Sequence, residues 1–232
     1  MKKINVYVRH AFYSPNSVIG NRIRPVWFDK KKIWNNFIET VNKEMCNVKI
    51  IYDTYFGDNS DIFFTEDIEV IKINCGTEAS SFLEILKIIE NDNLSDDSII
   101  YILEDDYLHR ENWCNAIIEG VEISDYISLY DHLDKYLDYP DLNSKIVLTK
   151  SVHWRTVPST CNTYACKMIT LKTDMGIHKL HSINCHNNVT DDNGKFLRLG
   201  RIGRTLFTPI PAFSTHCDGL LSPIINWEKY IK

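Results

Sequence analysis

Glu104, Asp105 and Asp106 follow directly on the apolar run 99–103, so three carboxylates stand side by side where a buried strand should end. Their mutual repulsion has to be offset, either by water around a solvated acidic loop or by a shared cation. Hard oxygen ligands suit Mg²⁺ or Mn²⁺, which take one or two carboxylates and complete the shell with phosphate oxygens and water. A triplet in this position has the chemistry to hold the diphosphate of a nucleotide, the metal neutralising charge on a departing diphosphate.

Other groups compete for a chemical role. His216, in STHCDG, offers an imidazole as a second ligand to the same ion, against the plainer reading of a hydrogen-bonded structural histidine. His178, His181, Cys185 and His186 could make a zinc site by count, but their spacings fit no common paired-ligand pattern. Lys195, Arg198, Arg201 and Arg204 recur every third position and either meet a phosphate or form a solvated helix face. Asp191 and Asp192 are candidate general bases, although DDNG by itself reads as a turn. No GxxxxGK, GxSxG or GxGxxG pattern is present, which removes the enzyme classes built on them.

The elements that must carry these residues alternate. Runs 4–10, 48–53, 68–74, 99–103 and 126–131 read as strands from their β-branched and apolar content. Stretches 29–45, 77–91 and 111–121 place apolar residues at helical spacing, with Asp29 a plausible N-cap and Trp113 on an inward face. The order predicts one α/β domain with a mainly parallel central sheet flanked by helices. In such open sheets ligands lie beyond the carboxyl ends of the strands, where Arg9, His10, Asp53, residues 74–77, the acid triplet and Asp131 all fall. In the second half, 162–172 alternates as a strand would, 173–183 suits a short helix, 185–194 a polar loop, and 206–219 a strand broken by Pro209 and Pro211.

The chain has 232 residues, 44% of them hydrophobic and 25% charged, as an ordinary globular protein with a full core does. A formal charge of −5 gives no general attraction to nucleic acid or to an anionic membrane. No stretch approaches the roughly 20 apolar residues of a membrane span, and Asn5 and Arg9 interrupt the first apolar run before a signal-peptide core is complete. Seven scattered cysteines without a CxxC pair point to reduced thiols and a cytoplasmic setting, the host cytoplasm if the source is viral.

Taken together, EDDYLHRENW, YISLYDHLDKY, LTKSVHW, STCNTYACK, GRTLFTPIPAFSTH and PIINWEKYI, in this order from about residue 4 to 230, resemble the GT-A glycosyltransferases, and more narrowly a small bacterial and viral family of this length. The resemblance implies a Rossmann-like GT-A fold, residues 1–130 forming the nucleotide-sugar half and 131–232 the acceptor-binding and catalytic half. It implies a D-x-D-type motif in which Asp106 and His216 hold Mn²⁺ or Mg²⁺ and Glu104 or Asp105 contacts the ribose or sugar. By the same likeness Arg9, Asp53, Gly76 and Ser80 match donor-binding positions. Asp192, eleven residues before Gly203, matches the catalytic base, with Asp191 behind it. The expected activity is glycosyl transfer from a nucleoside diphosphate sugar, UDP-linked by preference, to a glycan or other hydroxyl acceptor, with inversion. Two alternatives stand beside it: a sugar-nucleotide nucleotidyltransferase, which should need a glycine-rich, basic loop after the first strand, and a non-catalytic nucleotide- or carbohydrate-binding module.

Overall fold

Strands whose residues are buried on both faces have to lie in the middle of a covered sheet, and β1 (Ile4–Ala11) and β4 (Ile99–Glu104) have that pattern. They pair in parallel with each other, and β1 also with β2 (Cys46–Asp53), which carries β3 (Glu69–Ile73) in parallel on its far side. The computed structural model describes residues 4–13, 23–58, 68–183 and 187–232. Among them the helices α1 (Lys30–Thr40), α2 (Glu78–Asn91) and α3 (Trp113–Gly120) make the crossovers. A short β5 (Tyr107–His109) follows the acid triplet.

The second half extends the same sheet. β6 (Tyr126–Ile127), α4 (Asp134–Leu137), β7 (Ile146–Leu148), β8 (His153–Thr156), β9 (Tyr164–Lys167), α5 (Met168–Ile183), α6 (Asp192–Arg201), β10 (Leu206–Ile210) and β11 (Ser214–His216) precede a 3-10 turn, Trp227–Tyr230. The nine-stranded order is β3-β2-β1-β4-β9-β6-β10-β8-β7, and β5 pairs with β11 in a separate ribbon. β9 enters antiparallel between β4 and β6. β10 is parallel to β6 and antiparallel to β8. The α/β architecture expected from the sequence is therefore observed, with parallel pairing concentrated in the first half and a mixed arrangement beyond it.

Apolar side chains fill both faces. Trp34, Phe37, Trp113 and Ile117 from α1 and α3 pack on one side. Phe82, Ile85, Leu171 and Phe196 from α2, α5 and α6 pack on the other. Trp227 closes a third cluster with Ile33 and Leu108.

Three boundaries differ from expectation. The helix expected over 29–45 stops at Thr40, where Val41 turns extended and the Asn42 side chain accepts from the Glu44 N–H to start the turn into β2. The strand expected over 162–172 becomes a helix at Met168, because the N–H groups of Met168 and Ile169 bond to Ser98 and Asp96 and so cap a helix start. Residues 191–194 form a helix start: Asp191 accepts from the Gly194 N–H at 3.0 Å and caps α6.

Candidate functional site

The carboxyl ends of β1, β2 and β4 bring the predicted polar residues to one edge. Register sets Arg9 opposite Glu104, and Ala11 opposite Asp53. The Arg9 guanidinium bonds to Glu104 and, at 2.7 Å, to Glu78. Asp105 Oδ2 takes Lys30 Nζ at 2.7 Å, His10 Nδ1 at 2.7 Å and the Ala11 N–H at 3.3 Å. Asp106 Oδ2 takes Arg24 at 2.8 Å and His216 Nε2 at 2.9 Å. Arg24 is itself held by the Cys217 carbonyl at 2.6 Å and lies 4.4 Å from the centre of the Phe28 ring.

Electrostatics follow from these pairings. Burial opposes ionisation of Asp106, yet His216, Arg24 and Lys30 outweigh it and hold the carboxyl well below the usual range. Burial likewise opposes charge on Asp105, which Lys30 and His10 bring down to about 2. Glu104 is raised, since burial and the neighbouring Asp106 exceed the pull of Arg9. Burial disfavours the His216 imidazolium, but Asp106 and Asp218 push it up to about 10. Both ring nitrogens face carboxylates, Nδ1 lying 2.7 Å from Asp218, and the ring stacks on Tyr107 at 4.9 Å. In this arrangement His216 holds Asp106 Oδ2 through Nε2 and is itself held by Asp218 through Nδ1.

Asp106 Oδ1 is buried and has no hydrogen-bond partner among the described residues. A divalent cation fits that oxygen, since Mg²⁺ asks for one or two carboxylates and takes its other ligands from phosphate and water. Among the described residues no group of three or more His, Cys, Asp or Glu forms a ready-made metal cluster.

The remaining expected residues divide by environment. Asp53 is saturated: Oδ1 accepts from Tyr55 and Cys75 N–H, each at 3.1 Å, and Oδ2 from Gly76 N–H at 2.9 Å and the Ser81 hydroxyl at 2.6 Å. It staples the loop before α2. Gly76 has φ +72 in that loop, and Ser80 completes the Thr77 N-cap at the mouth of the crevice. Asp192 sits in the first turn of α6, with Oδ1 2.9 Å from the Thr190 hydroxyl and 3.4 Å from Lys195 Nζ. Burial, with Glu78 and Glu104 nearby, raises its carboxyl to about 6 against the pull of Lys195. Asp191, the cap of α6, points away to His181 at 3.0 Å.

Other candidates are structural. His178 is enclosed, its ring nitrogens 3.0 Å from the Tyr126 and Tyr164 hydroxyls, and burial keeps it neutral. Cys185 and His186 lie outside the described residues. The basic segment does not act as one face: Lys195 is buried against the Phe82, Tyr164 and Phe196 rings, while Arg204 is paired with Asp174 and Asp125. Asp131 is held by Arg155 and the Tyr136 hydroxyl. The sequence reading missed Arg24, Lys30 and Glu78. Lys30 lies in a run of three lysines that reads as a solvated helix start.

The sequence matches no protein-family model, and no curated protein matches it. Several solved structures are similar to this chain. One is the bifunctional IspDF from Campylobacter jejuni, at 12% identity and TM-score 0.46 over 89% of this chain; the chain spans about half, 49%, of that protein. A second is a CMP:2-keto-3-deoxy-manno-octonic acid synthetase complexed with CTP, at 12% identity and TM-score 0.49 over 89% of this chain and 88% of the other. A third is the Francisella tularensis 2-C-methyl-D-erythritol 4-phosphate cytidylyltransferase, at 14% identity and TM-score 0.49 over 98% and 96%. The expectation of glycosyl transfer from a UDP-sugar is corrected here: none of these three is described as a glycosyltransferase, the second being a synthetase complexed with CTP and the third a cytidylyltransferase. Arg24, from the segment after β1, and Lys30, the first residue of α1, both meet the acid triplet; the glycine-rich character asked of the nucleotidyltransferase alternative is absent, Gly20 being the one glycine between Ala11 and Lys30. No helix among the described residues is long and apolar enough to cross a membrane.

Proposed function

We propose that the protein is a nucleotidyltransferase, binding a nucleoside triphosphate at the carboxyl ends of β1, β2 and β4 and transferring its nucleotidyl group to an oxygen of a sugar phosphate or sugar acid. The observation that carries this reading is the convergence of Arg9, Arg24 and Lys30 on Glu104, Asp105 and Asp106. Each cation is neutralised by an acid. The basic groups would bind the phosphate oxygens of a triphosphate, and Asp106 would hold an accompanying divalent cation that neutralises its charge.

In the reaction an acceptor oxygen attacks the α-phosphorus, the bond from that phosphorus to the oxygen bridging to the β-phosphate breaks, and its electron pair leaves with pyrophosphate. When bound, a divalent cation supplies charge neutralisation on the triphosphate, and Asp106 Oδ1 is the oxygen available to hold it. His216 fixes the other oxygen of Asp106, so the first points in one direction. Arg24 and Lys30 serve the leaving pyrophosphate. An ionised phosphate or carboxylate acceptor needs no base; a hydroxyl acceptor would give its proton to Asp192, whose carboxyl near 6 suits that task.

The test is thermal stability with ATP, CTP, GTP and UTP, each with and without Mg²⁺. A Mg²⁺-dependent rise for one triphosphate, reaching the equivalent of about 2.7 kcal/mol at a hundred times Kd and lost in Lys30→Ala, is expected. No rise with any of the four contradicts the reading.

A further inference from the structure

Glu78 is where the two halves of the crevice are joined. It is the first residue of α2, directly after the Thr77 cap. Its Oε1 accepts from Arg9 at 2.7 Å and from the Asn162 amide at 2.9 Å, and its Oε2 accepts from the Thr190 N–H at 2.5 Å. Arg9 also donates to the Glu78 carbonyl at 3.0 Å, and the next N–H, of Ala79, donates to Asn188 at 3.1 Å. From these partners the contacts run on to α6: the Asn162 carbonyl oxygen takes the Lys195 ammonium, and the Thr190 hydroxyl lies 2.9 Å from Asp192.

We infer that Glu78 is a positioning residue for the proposed nucleotidyl transfer: it ties Arg9, at the phosphate end, to Asn162 and Thr190, and through them sets where Asp192 and Lys195 stand across the crevice. The inference rests on the reading above. Every group facing the carboxylate is an N–H or O–H donor on a different element, β1, the approach to β9, or the approach to α6. A carboxylate accepts from all of them. An amide at this position would turn an NH₂ toward Arg9 or toward the Thr190 N–H, donor against donor, and release one side of the bridge.

The experiment measures pyrophosphate release by wild type, Glu78→Gln and Glu78→Asp, with hydrogen exchange of the unliganded proteins. For Glu78→Gln, kcat is expected to fall about tenfold to a hundredfold, the loss typical of a displaced reacting group. The KM for the triphosphate should stay within about threefold, since displacement rather than lost phosphate binding is the cause. Exchange in residues 187–195 should quicken while β1 and β4 stay protected. Glu78→Asp, which keeps the charge on a shorter arm, should recover part of kcat. Unchanged kcat, or a loss matched by the unfolded fraction with unchanged exchange at 187–195, overturns the inference. If wild type releases no pyrophosphate from any triphosphate, the nucleotidyltransferase reading fails separately. Exchange then decides alone: quickening at 187–195 in Glu78→Gln keeps the tie, and equal exchange removes it.

Discussion

Asp106 divides its carboxylate between two tasks, Oδ2 being clamped by Arg24 and His216 while Oδ1 is buried without a partner among the described residues. Replacing it by Asn leaves the shape and removes the charge a divalent cation would meet. Asp106→Asn should lower Mg²⁺-dependent pyrophosphate release by about a hundredfold or more, as loss of a charge-stabilising group does; activity within about threefold of wild type, in protein shown to be folded, would contradict that role. Asp192 gives a pH prediction. Its carboxyl is raised from 3.8 to about 6, chiefly by burial, so the folded chain holds this proton more tightly than the unfolded chain. The associated stability is complete below about pH 4 and lost as pH rises through about 6. Asp192→Asn removes the cost of a partly buried charge, still about a quarter exposed to solvent, and should raise stability by about 1–2 kcal/mol at pH 7.5, the gain vanishing near pH 4. Denaturant titrations at both pH values measure it, and an equal difference at the two would count against the assignment.

At the scale of elements, the loop between β3 and α2 is built around Asp53, which binds three N–H groups and one hydroxyl. Gly76 is the residue that allows it, with φ +72 and the Tyr55 ring 2.7 Å from where a Cβ would stand. Gly76→Ala should cost about 1–3 kcal/mol through positive φ and the clash and lower Tm accordingly; an unshifted Tm would show that the loop yields. The strand ends were legible in sequence because β-branched runs stop at Arg9, Asp53 and the acid triplet, and period and burial agree there. The start of α5 was not legible, because 162–172 alternates like a strand while the carbonyls that accept from the Met168 and Ile169 N–H groups belong to Ser98 and Asp96, far off in sequence. Asp53 was placed correctly at a strand end, but its partners are backbone groups whose convergence no spacing reveals. Lys30 and Glu78 were missed for the same reason: each opens a helix, where charge is ordinary, and only the fold aims them inward.

At the scale of the whole molecule, a parallel half-sheet supplies the acids and most of their cations, and the mixed half returns to complete the edge. His216 reaches Asp106 across 110 positions of sequence, on the β11 strand that pairs with β5. Asn162 and Thr190 meet Glu78 from the opposite wall, and Thr190 in turn meets Asp192. The α/β class was readable from the alternation of strands and helices; the chemistry was not, since the same acids at the same sheet edge suit transfer of a sugar or of a nucleotide, and the cations that meet them come from a strand, an irregular segment and a helix start. Pyrophosphate release therefore tests the central claim most directly. The protein is supplied with each nucleoside triphosphate, Mg²⁺ and a panel of sugar phosphates and sugar acids. The account predicts release with one triphosphate, dependent on both Mg²⁺ and an acceptor, and lost in Lys30→Ala and Arg24→Ala. Absence of pyrophosphate across the whole panel, from folded protein, would contradict it.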